Sequence, residues 1–132
     1  MYLPPRVFGP EPAHPEAITE IERAFTTLFN DSATDDERGA ALEDGASLLH
    51  VLAEALARHP SVGPVQVRVE RVRFLDERHA RVRFVILVGR GGPSFDGEAV
   101  QAGGRWRVGR ETFCQVVAMA GVRCPPRSNE PQ

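Results

Sequence analysis

Few side chains in this sequence have the type and spacing that catalysis requires. Asp96 and Glu98 alternate along a predicted strand, so both carboxylates face the same side of a sheet. Asp31 follows the first predicted helix, and His50 lies within the third. A carboxylate or an imidazole in a cavity could abstract a proton next to a carbonyl group if donors stabilise the oxyanion. These four residues are the candidate catalytic positions.

Each candidate also has a structural interpretation, which we favour. A lone histidine beside an apolar helical stripe, as at His50, is more often partly buried for packing. Asp96 and Glu98 also fit a solvated strand face, where we expect them to pair with nearby arginines. The only tyrosine, Tyr2, lies in the N-terminal arm and leaves the core without a phenolic donor. The sequence therefore favours a protein without catalytic activity.

Metal, cofactor and phosphate-loop signals are weak. The two cysteines have no second pair and the four histidines are scattered, which does not fit the ligand spacing of a zinc site. Glycine-rich stretches fall between predicted strands and do not lead into a helix, so they predict turns. We expect no metal and no cofactor. The histidines are His14, His50, His59 and His79, and the glycine-rich turns are 89–93 and 103–104.

The basic residues of the chain are all arginines. There are 16 of them against 18 acidic residues, so the net charge of −2 gives no global field toward nucleic acid or an anionic membrane. Six arginines share the predicted outer face of the sheet, while Phe74, Phe84 and Trp106 point to the opposite face and cannot stack on bases. We predict a solvated or subunit-facing surface and no nucleic-acid partner. The six are Arg68, Arg73, Arg81, Arg83, Arg105 and Arg107.

Four strand-like segments position these residues. In the first segment, the alternating apolar positions change phase before Val72, which predicts a β-bulge near Glu70 and Arg71. In the second, Val85 and Leu87 add an outer apolar face that helices or a second subunit would cover. The segments are Val65–Phe74, His79–Val88, Ser94–Ala102 and Arg105–Glu111, and the expected core residues of the second are Ala80, Val82, Phe84, Ile86 and Val88.

Three helices are predicted before the strands and a short one after them. The first covers about residues 15–29 and presents one apolar face. Thr34 and Glu37 have the spacing of a capping box and begin a second helix, which ends near residue 43. A third covers 46–58, and its apolar stripe includes Leu56.

This order of elements predicts an α+β fold: three N-terminal helices packed on a bent four-stranded antiparallel sheet, a cone-shaped roll, with a short C-terminal helix. Residues 1–14 hold four of the 11 prolines and are expected to form an extended arm, with Tyr2 and Phe8 packing onto the core. Residues 15–126 are predicted to form a single domain and 127–132 a flexible tail. The expected core includes Phe25, Leu28, Phe29, Phe84, Trp106 and Phe113.

Two stretches carry a family resemblance: AFTTLFNDSATDDERGAALEDGASL and GGRWRVGRETFCQVVAMAGVRCPP. They resemble the C-terminal domain family of actinobacterial low-molecular-weight secreted antigens, over about residues 15–126. The resemblance implies an exported or cell-envelope protein with a nuclear transport factor 2-like or cystatin-like roll, and it implies no catalytic residue. The matching residues are Phe25, Leu28, Phe29, Arg38, Leu42, Gly45, Trp106, Val108, Thr112, Phe113, Cys114, Gly121, Cys124 and Pro125.

The two cysteines, Cys114 and Cys124, are predicted to form a disulfide. An unbroken helix would separate their Cα atoms by about 15 Å, whereas a bridge needs about 4.4 to 6.8 Å. The helix must therefore stop between them, and Gly121 suits a left-handed cap. A stabilising bridge favours a secreted or cell-envelope location, although residues 1–18 lack the pattern of a signal peptide. The alternative is two buried free thiols in a cytoplasmic domain.

The function that these features favour is a non-catalytic exported domain that binds a small hydrophobic ligand or a protein. The alternative is a small enzyme of the ketosteroid isomerase or polyketide cyclase kind, which would need a candidate acid or His50 inside a deep cavity. No apolar run reaches the roughly 18 residues that span a bilayer. A homodimer through the sheet is also expected, because Val85 and Leu87 lie on its outer side.

Overall fold

The computed structural model describes residues 4–9, 16–30, 32–58 and 65–126. They form an α+β fold with four helices and one five-stranded mixed sheet, whose strands lie side by side in chain order. The elements are β1 (Arg6–Phe8), α1 (Ala17–Leu28), α2 (Asp35–Ala41), α3 (Gly45–Arg58), β2 (Val65–Phe74), β3 (His79–Val88), β4 (Ser94–Ala102), β5 (Arg105–Val108) and α4 (Arg110–Met119).

The strand β1 is the main difference from the predicted four-stranded antiparallel sheet. It pairs in parallel with Arg71–Arg73 of β2, whereas β2 to β5 pair antiparallel. Phe8 was expected to pack onto the core. It is instead 38% exposed and lies beside two arginines of β2. Along the chain, three helices lie between β1 and β2, so no local sequence pattern predicts that these strands pair. Tyr2, the other aromatic residue of the arm, lies outside the described residues.

The predicted β-bulge in β2 is confirmed. The register between β2 and β3 shifts between Val69, which pairs with Phe84, and Arg71, which pairs with Arg83. Glu70 is the extra residue, so the bulge leaves Glu70 and Arg71 together on one strand. Valines before the bulge and Val72 after it can therefore face the same core.

The core lies between the sheet and α1, which packs against β2 and β5. Phe84 lies at its centre: its ring centroid is 4.9 Å from that of Phe25 and 5.4 Å from that of Phe95. Helix α1 contributes one face because its apolar residues recur at helical spacing. Of the expected core residues, Phe29 is half-buried. The others, Phe25, Leu28, Phe84, Trp106 and Phe113, are buried.

Three further details predicted for the helices and strands are wrong. Val88 and Leu56, which were expected to face the core, are 41% and 49% exposed. Both lie at or near the end of an element, where the strand or helix extends past the packed core. Strand β5 stops at Val108 rather than Glu111 because the extended Gly109, whose N–H donates to the Glu98 carbonyl, already begins α4.

Helix α2 begins with the predicted capping box. The Glu37 N–H donates to the Thr34 hydroxyl at 3.1 Å, and the Thr34 N–H donates to the Glu37 carboxylate at 2.9 Å. The bond from the Thr34 backbone, followed by that of its side chain, lowers the pKa of the Glu37 carboxyl. Because the folded pKa is depressed, this contribution to stability is present above the ordinary carboxyl pKa and lost as the pH falls through the folded one.

Replacing Thr34 by alanine is expected to raise the pKa of Glu37 part of the way to its ordinary value. The hydroxyl is the smaller of the two causes of the lowered pKa, and the backbone N–H is retained. NMR titration of the Glu37 side chain measures the change, and Thr34→Ser, which keeps the hydroxyl, is the control. An unchanged pKa in Thr34→Ala would contradict the role of the side chain.

Helices α2 and α3 meet through two glycines. A Cβ added to Gly45 would lie 2.1 Å from the carbonyl oxygen of Gly39. Alanine is the better helix former, but backbone cannot move aside cheaply, so we expect Gly45→Ala to lower the free energy of unfolding by about 1 to 3 kcal/mol. Gly91→Ala is the matched control, because nothing lies within 4 Å of its added Cβ. Urea denaturation compares the two variants. Equal denaturation midpoints would show that α2 and α3 can move apart without loss of stability.

Candidate functional site

Asp96 and Glu98 lie together on the outer face of β4 and line a groove of about 460 Å³. Strand β5 pairs only with 99–102. Beyond it, the Glu98 N–H donates to the Thr112 hydroxyl at 2.8 Å and the Glu98 carbonyl accepts from the Gly109 N–H, so the first turn of α4 forms the other side of the groove. Both signs of charge line it. Its other ionisable residues are Glu43, His79, Arg81, Arg110 and Glu111.

The two carboxylates of this groove are open to solvent. The Asp96 side chain is 68% exposed, and Arg83 Nη1 donates to its two oxygens at 3.2 and 3.3 Å. Glu98 is exposed and lies opposite Arg81 in the register of β3 and β4. A general base works best when it is held at the reacting atom and shielded from water. The groove can bind a polar molecule, but these carboxylates do not form such a pair.

The other two candidate catalytic residues do not join this groove. His50 is exposed rather than partly buried. It is two residues from both Leu48 and Leu52 of the buried stripe, and two residues correspond to about 200° around a helix, so it faces away from the core. Asp31 lies outside the described residues.

Helix α4 ends in the way that the predicted bridge requires. Gly121 adopts a φ of +82°, its N–H donates to the Ala118 carbonyl, and the N–H of Val122 donates to the Val117 carbonyl. This pair of bonds is a Schellman cap, which turns the chain back along the helix. Cys114 and Cys124 consequently lie at bonding distance, with sulfurs 2.12 Å and Cα atoms 5.6 Å apart.

Arg110, which the sequence analysis did not identify, links the turn before α3 to the segment after Cys124. Its side chain is 8% exposed, and its Nε lies 3.5 Å from a carboxylate oxygen of Asp44 in the turn before α3. Its Nη2 donates to the Pro125 carbonyl, and its backbone N–H donates to Glu43 at 2.9 Å. The guanidinium group can contact Asp44 and Pro125 at once because its N–H groups point in several directions. Arg110 therefore holds the segment after Cys124 against the N-terminal helices.

A second set of charged residues lies at the β-bulge, on the outer face of β1 to β3. We call it the arginine pocket, and its members are Arg6, Arg68, Arg71 and Arg83 with Glu70. They line a groove of about 290 Å³. The sequence predicted outward arginines, but it could not place Arg6 among them, because that required the pairing of β1.

These features define the class of protein: an α+β domain with a buried apolar core, two clusters of charged side chains on its surface, and a terminal helix tied down by a disulfide. None of the helices in the described ranges is long and apolar enough to cross a membrane. The chain belongs to the family described as low molecular weight antigen MTB12, C-terminal domain, which matches residues 13–124. This match confirms the predicted family. A comparison with curated proteins finds no significant match.

Proposed function

We propose that this protein is a non-catalytic exported domain, secreted or in the cell envelope, that binds its partner through the outer face of its sheet. The observation that carries the proposal is the packed interior. Phe84 stacks on Phe95 and packs at a tilt against Phe25, and Phe113 is fully buried, so side chains occupy the space at the centre of the core that a ligand or a substrate would need. The described candidates, Asp96, Glu98 and His50, all lie outside this core.

The fold supports the same proposal. We infer that the bulged sheet with α1 across its face is a roll of the nuclear transport factor 2-like kind. Enzymes built on such rolls need a hollow that holds a base and substrate together. The closed core also disfavours a small hydrophobic ligand and favours a protein or a polar partner.

Export is supported by the disulfide and by membership of an antigen family. Disulfides persist in oxidising compartments and are rare in the cytoplasm, where thiols are kept reduced. The cytoplasmic alternative requires both cysteines to be free.

Two measurements on protein recovered from its own cells test this proposal. Alkylation with iodoacetamide without reductant should leave the intact mass unchanged, and two alkylated thiols would argue for the cytoplasm. Native mass spectrometry should find no apolar compound at stoichiometric level. A lipid or metabolite retained one to one would instead show that the interior opens.

Photo-crosslinking tests the surface that binds. A photoreactive residue in place of Ser94, exposed on the outer face of the sheet, should yield covalent adducts in the producing cells. The same residue in place of Ala53, exposed on α3, is the matched control and should yield none. Adducts at both positions or at neither would contradict binding through the sheet.

The homodimer through the sheet stays a prediction, with less support than the sequence suggested. Val85, one of the two residues behind it, is already 6% exposed within one chain, and Leu87 is half-buried. A face-to-face dimer would also bring two arginine-rich surfaces together. Sedimentation at high micromolar concentration measures it directly.

A further inference from the structure

Three arginines of the arginine pocket form one row across neighbouring strands. Arg6 of β1 pairs with Arg71 of β2, which pairs in turn with Arg83 of β3. Like charges directly opposite each other on adjacent strands destabilise a sheet. An anion beside the row would reduce the repulsion among the three guanidinium groups.

Two more charged residues lie beside the row. Arg68 and Glu70 both line the pocket, and Glu70 is the extra residue of the bulge. One Glu70 oxygen lies 3.4 Å from Arg68 and the other 3.8 Å from Arg83. A single carboxylate is thus shared by two guanidinium groups.

Positive charge remains in excess after these contacts. Arg83 has a second partner in Asp96, at 3.2 Å. Arg6 and Arg71 have no carboxylate within ion-pair distance in the part of the chain that the structure describes. Among the described residues, the pocket holds four arginines and one carboxylate, in a chain whose net charge is −2.

Phe8 helps to hold this arrangement. The guanidinium carbon of Arg71 lies 5.9 Å from the centroid of its ring, and that of Arg73 lies 5.2 Å from it. Such cation–π contacts restrict where a guanidinium group can point. A guanidinium group that packs its face on a ring keeps the N–H donors at its edge available to an anion.

We propose that the arginine pocket binds the phosphate group of a phosphomonoester. This proposal rests on the proposed function, because it names the ligand chemistry that the outer surface recognises. A phosphomonoester carries close to two negative charges at neutral pH, which suits the excess of positive charge. Guanidinium forks match pairs of phosphate oxygens, whereas a carboxylate or a phosphodiester brings one charge.

Glu70 acts in this site as an internal counterion. In the ligand-free protein it neutralises part of the charge of Arg68 and Arg83, and a bound phosphate takes its place. Removing the Glu70 charge should therefore strengthen binding, whereas removing an arginine should weaken it. These opposite signs are not expected from loss of structure.

NMR titration with N-acetyl-phosphoserine amide tests the site. Saturable shifts are expected at the backbone amides of 68–73 and 83. We expect Arg71→Gln and Arg6→Gln each to weaken binding by about tenfold or more, as for loss of a charge-assisted hydrogen bond. Glu70→Gln should tighten it by roughly threefold to tenfold, because a nearby like charge is removed from the site of the ligand. Arg123→Gln, exposed and remote in sequence from the pocket, is the control and should change nothing.

Four outcomes would overturn the proposal. The first is no saturation by the wild type, and the second is the same affinity for Arg71→Gln and Arg123→Gln. The third is equal binding of N-acetyl-glutamic acid amide, which would indicate a general anion site. The fourth is tighter binding of single-stranded oligonucleotides with increasing length, which would indicate a nucleic-acid surface instead. Adducts at Ser94 together with no phosphate binding would remove this site and leave the proposed function standing.

Discussion

Replacing Phe84 by alanine is expected to lower the free energy of unfolding by about 3 to 5 kcal/mol. The side chain is fully buried on β3, between Phe25 of α1 and Phe95 of β4. Its loss removes apolar burial and leaves a cavity that the surrounding helix and strands cannot collapse to fill. A loss of this size is a large part of the roughly 5 to 15 kcal/mol that stabilises a typical domain.

Urea denaturation followed by circular dichroism measures this effect. The matched control is Phe8→Ala, because Phe8 is 38% exposed on the outer face and should cost about 1 kcal/mol or less. A Phe84→Ala protein as stable as Phe8→Ala would mean that the interior is loosely packed. The proposal of a closed core would then be wrong.

Loss of the disulfide is expected to lower the free energy of unfolding by about 2.8 kcal/mol in the chain-entropy relation. The bridge joins residues that are 10 apart in sequence, and without it the unfolded chain gains conformational freedom. The C-terminal segment should keep its position without the bridge, because Val122 is buried and Arg110 still donates to the Pro125 carbonyl. We expect the double variant Cys114→Ser, Cys124→Ser to fold with a lower denaturation midpoint.

Reductant provides the internal control for this prediction. It should lower the midpoint of the wild type to about that of the double variant, and it should leave the double variant unchanged. A wild type that is insensitive to reductant under denaturing titration would show that the bridge adds nothing to stability.

The strands were the most predictable part of the fold. Bounds predicted for β2, β3 and β4 agree with the structure, because a strand with one buried face shows its register as alternating residue types. The bulge was predictable for the same reason, since the phase change at Glu70 has no other explanation. The cap at Gly121 could be predicted because two cysteines so close in sequence require a reversal of the chain.

The rest depended on contacts between distant parts of the chain. Nothing in a short proline-rich arm indicates that Arg6 will lie beside Arg71, because the pairing is set by the sheet and not by local preference. Arg110 reads as one more surface arginine, and its burial follows only from where Asp44 and the segment after Cys124 come to lie. Asp96 and Glu98 were placed on one face by their spacing, but their exposure depended on where β5 ends.

Strand β1 also limits the tendency of this sheet to aggregate at high protein concentration. A ten-residue β2 rich in valine would offer unpaired N–H and C=O groups along its edge, a template on which another chain can add. β1 occupies that edge at 71–73, and the bulge distorts the ladder just before it. The family match begins at residue 13, after β1. A fragment limited to the matched segment would keep the core and the disulfide but lose β1. We expect it to fold, and then to aggregate through the exposed edge of β2.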